Sequence, residues 1–379
     1  MTKQIYLDHN ASTPIATAVR EAMRPYLELA YGNPSSSHWA GQPARQAVEE
    51  ARAEVAAFLG AEPAEIVFTS GGTESNNAAI LGSWFAQDRH DGCIATSAVE
   101  HLATKEPCRF LQRLGATLLV LPVDITGRVS PATLAQQLDH RLVLLTVMHA
   151  NNEVGTIEPI RELAELAHRV GARVHSDAAQ SAGKIPVDVN ELGVDLLSLA
   201  GHKLYAPKGI GALYVRSGTP FEPFIHGAGH EQGRRSGTES ALLAVGLGKA
   251  CSLAREEMGA NVRIRLLRDR LWQHLRGALG DRVVLQGHVT ERLPNTLNVA
   301  FHGQVGSELL ASCDGLAAST GAACHGGGAV LSDTLQAMGV TPALGAGSVR
   351  LSLGRHTTEE EVDTAARQLI AACEPPATS

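Results

Sequence analysis

Aromatic residues are scarce in this 379-residue chain, at 4% of the total. A surface built to stack on nucleic-acid bases needs more of them. An excess of positive charge is missing too: 39 acidic residues face 32 basic ones, a net charge of -7. Broad attraction to nucleic acid or to an anionic membrane surface is therefore not expected, and any bound anion must be held by local geometry. No apolar run approaches the roughly 20 residues of a membrane span. The opening Met1-Thr2-Lys3-Gln4-Ile5-Tyr6-Leu7-Asp8 has no apolar core of a secretory signal. The six cysteines (93, 108, 251, 313, 324 and 373) are scattered, with no CxxC pair. Neither a metal site nor a disulfide framework is indicated, and a reducing cytoplasm is the expected setting. There is no internal repeat and no low-complexity linker.

What the chain does have is 44% hydrophobic and 19% charged residues, with abundant Ala and Gly. That suits helices packed tightly on a sheet, and the length allows a large domain plus a smaller one. Strands are expected at Ile66–Thr69, Cys93–Thr96, Thr117–Leu121, Leu142–Val147, Ala172–His175 and Val194–Leu199. Ile210–Val215 reads as an antiparallel partner. Helices are expected at Arg45–Leu59, after Gly72, and over Glu158–Val170. This alternation predicts an α/β domain with helices on both faces of a large mixed sheet. After about residue 255 the texture changes. A long charged helix, Glu256–Leu279, precedes strands at Thr296–Phe301, Gly315–Ala318 and Ser348–Leu353, then a helix over Thr358–Ala372. The expected division is 15–255 for the large domain, with 1–14 and 256–379 forming a smaller α+β domain.

Several residues at predicted strand ends could carry chemistry. Lys203 follows an apolar strand in Gly201-His202-Lys203. Withdrawal from water lowers an amine's pKa and equips it to form a Schiff base, although a lone lysine there equally suits an exposed loop. In Thr69-Ser70-Gly71-Gly72-Thr73-Glu74, a strand gives way to a helix through two glycines. The N–H groups of that turn, with the Thr73 hydroxyl, could cradle a phosphate; a plain Gly-rich turn is the other reading. It is not a Walker loop, since the lysine is missing. Asp177 ends a buried strand and could pair with a protonated ring nitrogen, or could simply cap the next helix. Phosphate cradle, carboxylate and lysine on successive strand ends are the three parts a pyridoxal phosphate site requires.

Four more candidates surround these. His101 could lie on a cofactor ring or shuttle protons. Asn152, in Asn151-Asn152-Glu153, could hold a phenolic oxygen or belong to a turn. Cys324 sits beside His325 and three glycines, the setting of a nucleophilic thiol on a loose loop; the other five cysteines read as small buried hydrophobes. Arg350 could grip a carboxylate, or make a surface ion pair.

Taken in order, the motifs resemble the cysteine desulfurases and selenocysteine lyases, class V members of the fold-type I pyridoxal-phosphate enzymes. The matching runs include Tyr6-Leu7-Asp8-His9-Asn10-Ala11, Gly32-Asn33-Pro34, Ser70-Gly71-Gly72-Thr73-Glu74, Ala150-Asn151-Asn152-Glu153, Gly201-His202-Lys203, Arg235-Ser236-Gly237-Thr238 and Gly321-Ala322-Ala323-Cys324. The resemblance implies that Lys203 is the Schiff-base lysine and acid–base at Cα. It implies that Asp177 pairs with the ring nitrogen, that His101 stacks on the ring, and that Asn152 and Gln180 hold the ring oxygen. Gly72, Thr73 and His202 would bind phosphate, and Thr238 would reach the phosphate of the other subunit of a homodimer. Arg350 and Asn33 would hold the substrate, and Cys324 would attack its sulfur or selenium. A sulfur- or selenium-accepting protein is an implied partner.

Two residues depart from the pattern. Desulfurases of the family usually carry serine just before Gly-His-Lys, where this chain has Ala200. The residue after Glu100-His101 is Leu102, which matches neither branch, and Gly-Ala-Ala-Cys-His leans towards the selenocysteine lyases. The expected reaction is removal of sulfur from L-cysteine to give L-alanine and a persulfide on Cys324. Selenocysteine lyase, or a class V aminotransferase or β-lyase acting on another substrate, stands as the alternative.

Overall fold

Short aliphatic runs, each stopped by a polar or glycine-rich turn, build the large sheet. The computed structural model describes residues 4–87, 91–320, 322–325 and 328–374, with the backbone alone given within 321–330. After a two-residue strand, β1 (Ile5–Tyr6), come β2 (Ile66–Thr69), β3 (Cys93–Ser97), β4 (Thr117–Leu121), β5 (Leu142–Thr146), β6 (Arg173–Asp177), β7 (Leu196–Ala200) and β8 (Gly211–Val215). The last seven form one sheet in the order β2-β8-β7-β6-β5-β3-β4. β8 runs antiparallel to both neighbours, as its sequence position suggests, and the remaining pairs are parallel.

The central strands are covered on both faces, so β5 (LVLLT), β7 (LLSLA) and β8 (GALYV) read as nearly continuous apolar runs. Neighbouring residues go to opposite sides, as the pleat requires. Leu145 and Leu197 join the main core with Val48, Val55 and Leu247, while Leu144 and Leu196 pack on the other face with residues such as Ile80 and Ala79. The parallel strands all end at one edge, where the connections to the next helices leave backbone free for a ligand.

A second apolar cluster lies under a four-stranded antiparallel sheet. It is made of β9 (Val283–Gln286), β10 (Thr296–Phe301), β12 (Ser319–Thr320) and β15 (Ser348–Ser352), in the order β12-β15-β10-β9. Leu271, Leu275, Val299, Phe301, Leu351 and Leu369 fill this cluster between the sheet and the helices Asn261–Leu279 and Glu359–Ala372. β11 (Leu316–Ala317) pairs in parallel with β1. β13 (Ala322–His325) and β14 (Gly328–Leu331) form the antiparallel hairpin that carries Cys324.

Three departures from the sequence expectation have a clear physical cause. The charged helix starts at Asn261, because a 3-10 turn over Met258–Ala260 separates it from a preceding helix, Ala241–Glu256. That preceding helix is apolar almost all round and lacks the periodicity that would announce it. Its small residues allow close approach: a Cβ at Gly248 would fall 2.7 Å from the Cα of Ala51 on the helix Gln42–Leu59. The stretch 315–318 also splits, with Leu316–Ala317 serving β1 and Ser319–Thr320 serving β15. The helix read as 158–170 covers only Ile160–His168, since Pro159 occupies its N-cap.

A buried ion pair fixes the irregular segment before residue 240. Glu231 accepts from Arg52 Nη1 at 2.6 Å, Arg52 Nη2 at 3.0 Å and the Phe68 amide at 2.9 Å. Glu231 and Gln232 both sit in the left-handed region, at φ 48° and 58°. Such backbone persists where its surroundings over-determine it, and here the carboxylate is tied to the β2 strand.

Candidate active site

At the edge where the parallel strands end lies a cavity of about 370 Å³. Gly72, Thr73, His101, Asn152, Asp177, Gln180, His202, Lys203 and Arg350 all line it, so nine of the eleven described candidates converge. Asn33 does not line it. Its side chain accepts from the Ser35 amide at 2.9 Å in a local turn. Thr238 is exposed and also lies outside. The Cys324 side chain lies outside the described residues.

Lys203 ends the 3-10 turn after β7 and is brought back against the N-terminal segment. Its Nζ donates to the Asn10 carbonyl at 2.5 Å and more weakly to that of Ala11 at 3.5 Å. Burial, reinforced by the nearby Arg350 charge and opposed by Asp177 and Asp8, lowers its pKa to about 8. An amine so tuned is neutral often enough at physiological pH to attack a carbonyl. The preceding His202 falls to about 4, through burial and then the charges of Lys203 and Lys208. It is therefore neutral and can donate a hydrogen bond to an anion without adding charge.

Asp177 closes β6 and is 7% exposed. Its two oxygens accept from Asn76 Nδ2 at 2.7 Å and from the Ala179 amide at 2.8 Å. Asn76 is wholly buried on the helix Gly72–Phe85 and also donates to Thr104 at 3.2 Å. The first N–H groups of that helix have no acceptor within it and face the same region as the cradle glycines. A Cβ at Gly72 would come 3.1 Å from the Ala200 methyl, so only glycine leaves the cradle open.

His101 caps the helix Leu102–Arg113, its Nδ1 accepting from the Ala103 amide at 3.1 Å. That bond leaves Nε2 to carry the proton of the neutral ring. Burial lowers its pKa, with Asp177 pulling the other way. Its neighbour Glu100 is fully enclosed, accepts from Ser97 and the Met148 amide, and is raised to about 8 by burial. The two adjacent asparagines divide their work. Asn151 builds the turn, accepting from the amides of Glu153 and Val154 at 2.8 and 2.9 Å. Asn152 gives its carbonyl to Asn10 and Arg350 and lines the cavity.

Arg350 projects from β15 and is held by Asp8 at 2.8 Å, Ser319 at 2.9 Å and the Asn152 carbonyl at 3.1 Å. Its Nε is buried with no acceptor. Sequence reasoning passed over Asp8, Asn10, Asn76, Lys184 and Ser319. None of the five stands out by local pattern; Asn76 itself lies in the polar run Thr73-Glu74-Ser75-Asn76-Asn77.

The donor set fits pyridoxal phosphate. A buried carboxylate stands for the ring nitrogen, a helix N-terminus with a glycine cradle and a neutral histidine for the phosphate, and a low-pKa amine for the aldehyde. The other cysteines lend themselves to no chemistry: Cys93, Cys108, Cys251, Cys313 and Cys373 are free and buried, with Cys108 raised to about 12 by burial. Among the described residues no cluster of His, Cys, Asp and Glu could hold a metal ion, and no helix is long and apolar enough to cross a membrane.

This is the lysine, carboxylate and cradle arrangement of a pyridoxal-phosphate enzyme, and the chain belongs to the class-V aminotransferase family, whose model matches residues 5–364. Within that family it is similar to cysteine desulfurases. It is 46% identical over 366 residues to the cysteine desulfurase IscS of Dictyoglomus turgidum, covering 96% of this chain and 93% of that one. A solved NifS-like protein superposes with a TM-score of 0.91 at 36% identity, covering 97% of this chain and 99% of that one. The structure of SspA in complex with cysteine superposes with a TM-score of 0.81 at 33% identity, covering 93% of this chain and 100% of that one.

Proposed function

We propose that this chain is a pyridoxal-phosphate-dependent cysteine desulfurase, which takes the sulfur of L-cysteine, releases L-alanine and holds the sulfur as a persulfide on Cys324. The observation that carries the reading is the meeting of Lys203, Asp177 and Arg350 in one cavity beside the Gly72-Thr73 cradle. The relatives are cysteine desulfurases, and the SspA structure holds cysteine.

When bound, pyridoxal phosphate supplies an aldehyde for the substrate amine and a ring that accepts an electron pair. Asp177 would keep the ring nitrogen protonated, while Gly72, Thr73 and His202 would hold the phosphate. Asn152 and Gln180 would serve the ring oxygen, and His101 would stack on the ring. Arg350 would grip the substrate carboxylate. Lys203 moves the proton at Cα, suited to it by a pKa close to the working pH. The Cys324 thiolate attacks the substrate sulfur: an S–S bond forms, the C–S bond breaks, and the carbon keeps the electron pair and is protonated to give alanine.

The wider reading follows the same family. The two separate apolar clusters support a cofactor domain over 15–255, with 1–14 and 256–379 as the domain bearing the cysteine hairpin. Thr238, exposed here, would serve the partner's phosphate in a homodimer, and a cytoplasmic acceptor protein would take the sulfur. Ala200 and the Gly-Ala-Ala-Cys-His run favour L-selenocysteine as a second substrate.

The test is alanine release from L-cysteine and L-selenocysteine, measured side by side. Cys324→Ala should abolish persulfide formation and leave the cofactor's visible absorption intact, and Lys203→Ala should remove that absorption. Absence of alanine from both substrates, with cofactor bound, would overturn the reading. Full turnover in Cys324→Ala would point instead to an aminotransferase or another β-lyase.

A further inference from the structure

Beside the phosphate cradle stands a group of the wrong sign. Glu74 is the third residue of the helix Gly72–Phe85, whose N-cap is Gly71. Its side chain turns back over the helix end and accepts from the Ser70 amide at 2.8 Å. The first amide to bond within the helix is that of Ser75, to the Gly71 carbonyl at 3.0 Å. The N–H groups of Gly72, Thr73 and Glu74 therefore have no helical acceptor and are the donors left for an anion. A carboxylate suits a helix N-terminus, but it stands at the same positive end that a phosphate would use. A bound phosphate brings roughly two negative charges of its own, and the two anions repel.

Arg235 answers that charge. It comes from the irregular segment before the helix Ala241–Glu256. Its Nε donates to Glu74 Oε1 at 2.8 Å and its Nη2 to Oε2 at 3.3 Å, a two-pronged grip on one carboxylate. The Glu74 side chain is 10% exposed and that of Arg235 25%, so solvent screens the pair only in part. Burial pushes the Glu74 carboxyl up, but the bonds from Arg235 and Ser70 outweigh it and leave it below the usual carboxylate range. Glu74 is therefore ionised at neutral pH. The neighbouring cations are engaged elsewhere: Arg52 is paired with Glu231, and Arg234 donates to the Ala64 carbonyl at 2.6 Å.

We propose that Arg235 is a positioning residue for the cofactor phosphate: it neutralises Glu74 and holds it on the Ser70 side, which leaves the Gly72-Thr73 cradle attractive to an anion. The proposal rests on the pyridoxal-phosphate reading of the cavity. Arg235 does not line that cavity, so it acts through Glu74 and not by touching the phosphate. A simple brace between two segments would behave differently, and the difference is one of sign. In a brace, loss of either partner loosens the site. Where charge decides, loss of Arg235 weakens phosphate binding, and loss of the Glu74 charge strengthens it.

The test is the affinity of the full-length protein, stripped of cofactor, for pyridoxal phosphate and for pyridoxal, which lacks the phosphate. Both are titrated by visible absorption at neutral pH. Arg235→Gln should weaken pyridoxal phosphate roughly tenfold, the reach of one unpaired charge in a partly buried site, and leave pyridoxal nearly unchanged. Glu74→Gln keeps the shape of the side chain and an acceptor for the Ser70 amide, and it should tighten pyridoxal phosphate severalfold. Combined with Arg235→Gln, it should cancel the loss. Arg235→Lys keeps the charge and should stay close to the wild type. Should Arg235→Gln not fold, Glu74→Gln decides by its sign. The proposal is overturned by an unmoved pyridoxal phosphate affinity in Arg235→Gln, by an equal loss for pyridoxal, or by weaker binding in Glu74→Gln. A wild-type protein that binds neither compound overturns the cofactor reading, and the proposal with it.

Discussion

Asn76 donates its side-chain N–H to Asp177 across 2.7 Å, both residues being buried at the cavity wall. A buried carboxylate needs donors to offset its lost hydration, and Asp177 is the group placed to hold a positive charge on a ring nitrogen. Asn76→Leu removes one of its two described donors. Hydrogen bonds to charged groups contribute about 1.5–3 kcal/mol, so cofactor affinity should fall roughly tenfold to a hundredfold. Equilibrium titration of the cofactor-free protein measures this directly. Asn76→Asp should be worse, since two carboxylates would then share the place of one.

Lys203 and Arg350 are coupled by charge. In cofactor-free protein, labelling of Lys203 by an amine reagent should be half-maximal near pH 8, where its pKa lies. Arg350→Gln removes a positive neighbour, so the protonated amine becomes easier to keep and the midpoint should rise towards the ordinary 10.5. Mass-spectrometric labelling against pH reads the shift. A fall in the midpoint would contradict the assigned sign.

The Arg52–Glu231 pair predicts a stability effect rather than a catalytic one. Arg52→Met leaves the buried Glu231 carboxylate with the Phe68 amide but without its paired guanidinium, only the more distant charges of Arg234 and Arg235 remaining. The expected loss is about 3–5 kcal/mol, read by denaturant unfolding. Arg52→Met combined with Glu231→Gln should recover part of it, because no uncompensated charge remains.

Ala200 touches the cradle glycine and brings no hydroxyl. Ala200→Ser offers one more donor to a bound phosphate, worth about 0.5–1.5 kcal/mol, so cofactor should bind two- to roughly tenfold tighter. Gly72→Ala should weaken binding, since its methyl would crowd that of Ala200, and Ala200→Gly in the same chain should relieve the crowding. Equilibrium dialysis against cofactor distinguishes these outcomes.

The parts of the site legible in the sequence were those written at strand ends. Lys203 and Gly72 each follow an apolar run that stops abruptly, Asp177 ends the mixed run Arg173-Val174-His175-Ser176, and an α/β sheet brings such strand ends to one edge. Asp8, Asn10 and Lys184 carry no such mark. They are ordinary polar residues whose burial comes from partners on distant segments, such as Arg350 for Asp8 and Asn295 for Asn10. Lys184 lies four residues past Gln180, yet nothing in that spacing tells that the two side chains meet. In the fold, the apolar helix Ala241–Glu256 escaped notice for lack of a polar face. The split at 315–320 was hidden because strand partners are chosen by tertiary pairing rather than local propensity.

The N-terminal segment has a consequence for how the protein is made. β1 pairs with β11, Asn10 reaches Asn295 and Thr296, and Asp8 meets Arg350, a partner 342 residues later in the chain. Translation delivers this segment first and its partners last, so during synthesis it must wait unpaired while the large sheet assembles behind it. Arg350 cannot be set, nor the Lys203 amine seated on Asn10 within a finished cavity, before the final strand has left the ribosome. If Cys324 carries the sulfur as proposed, reactive sulfur would thereby be withheld from the unfinished polypeptide, which has no completed site with which to load it.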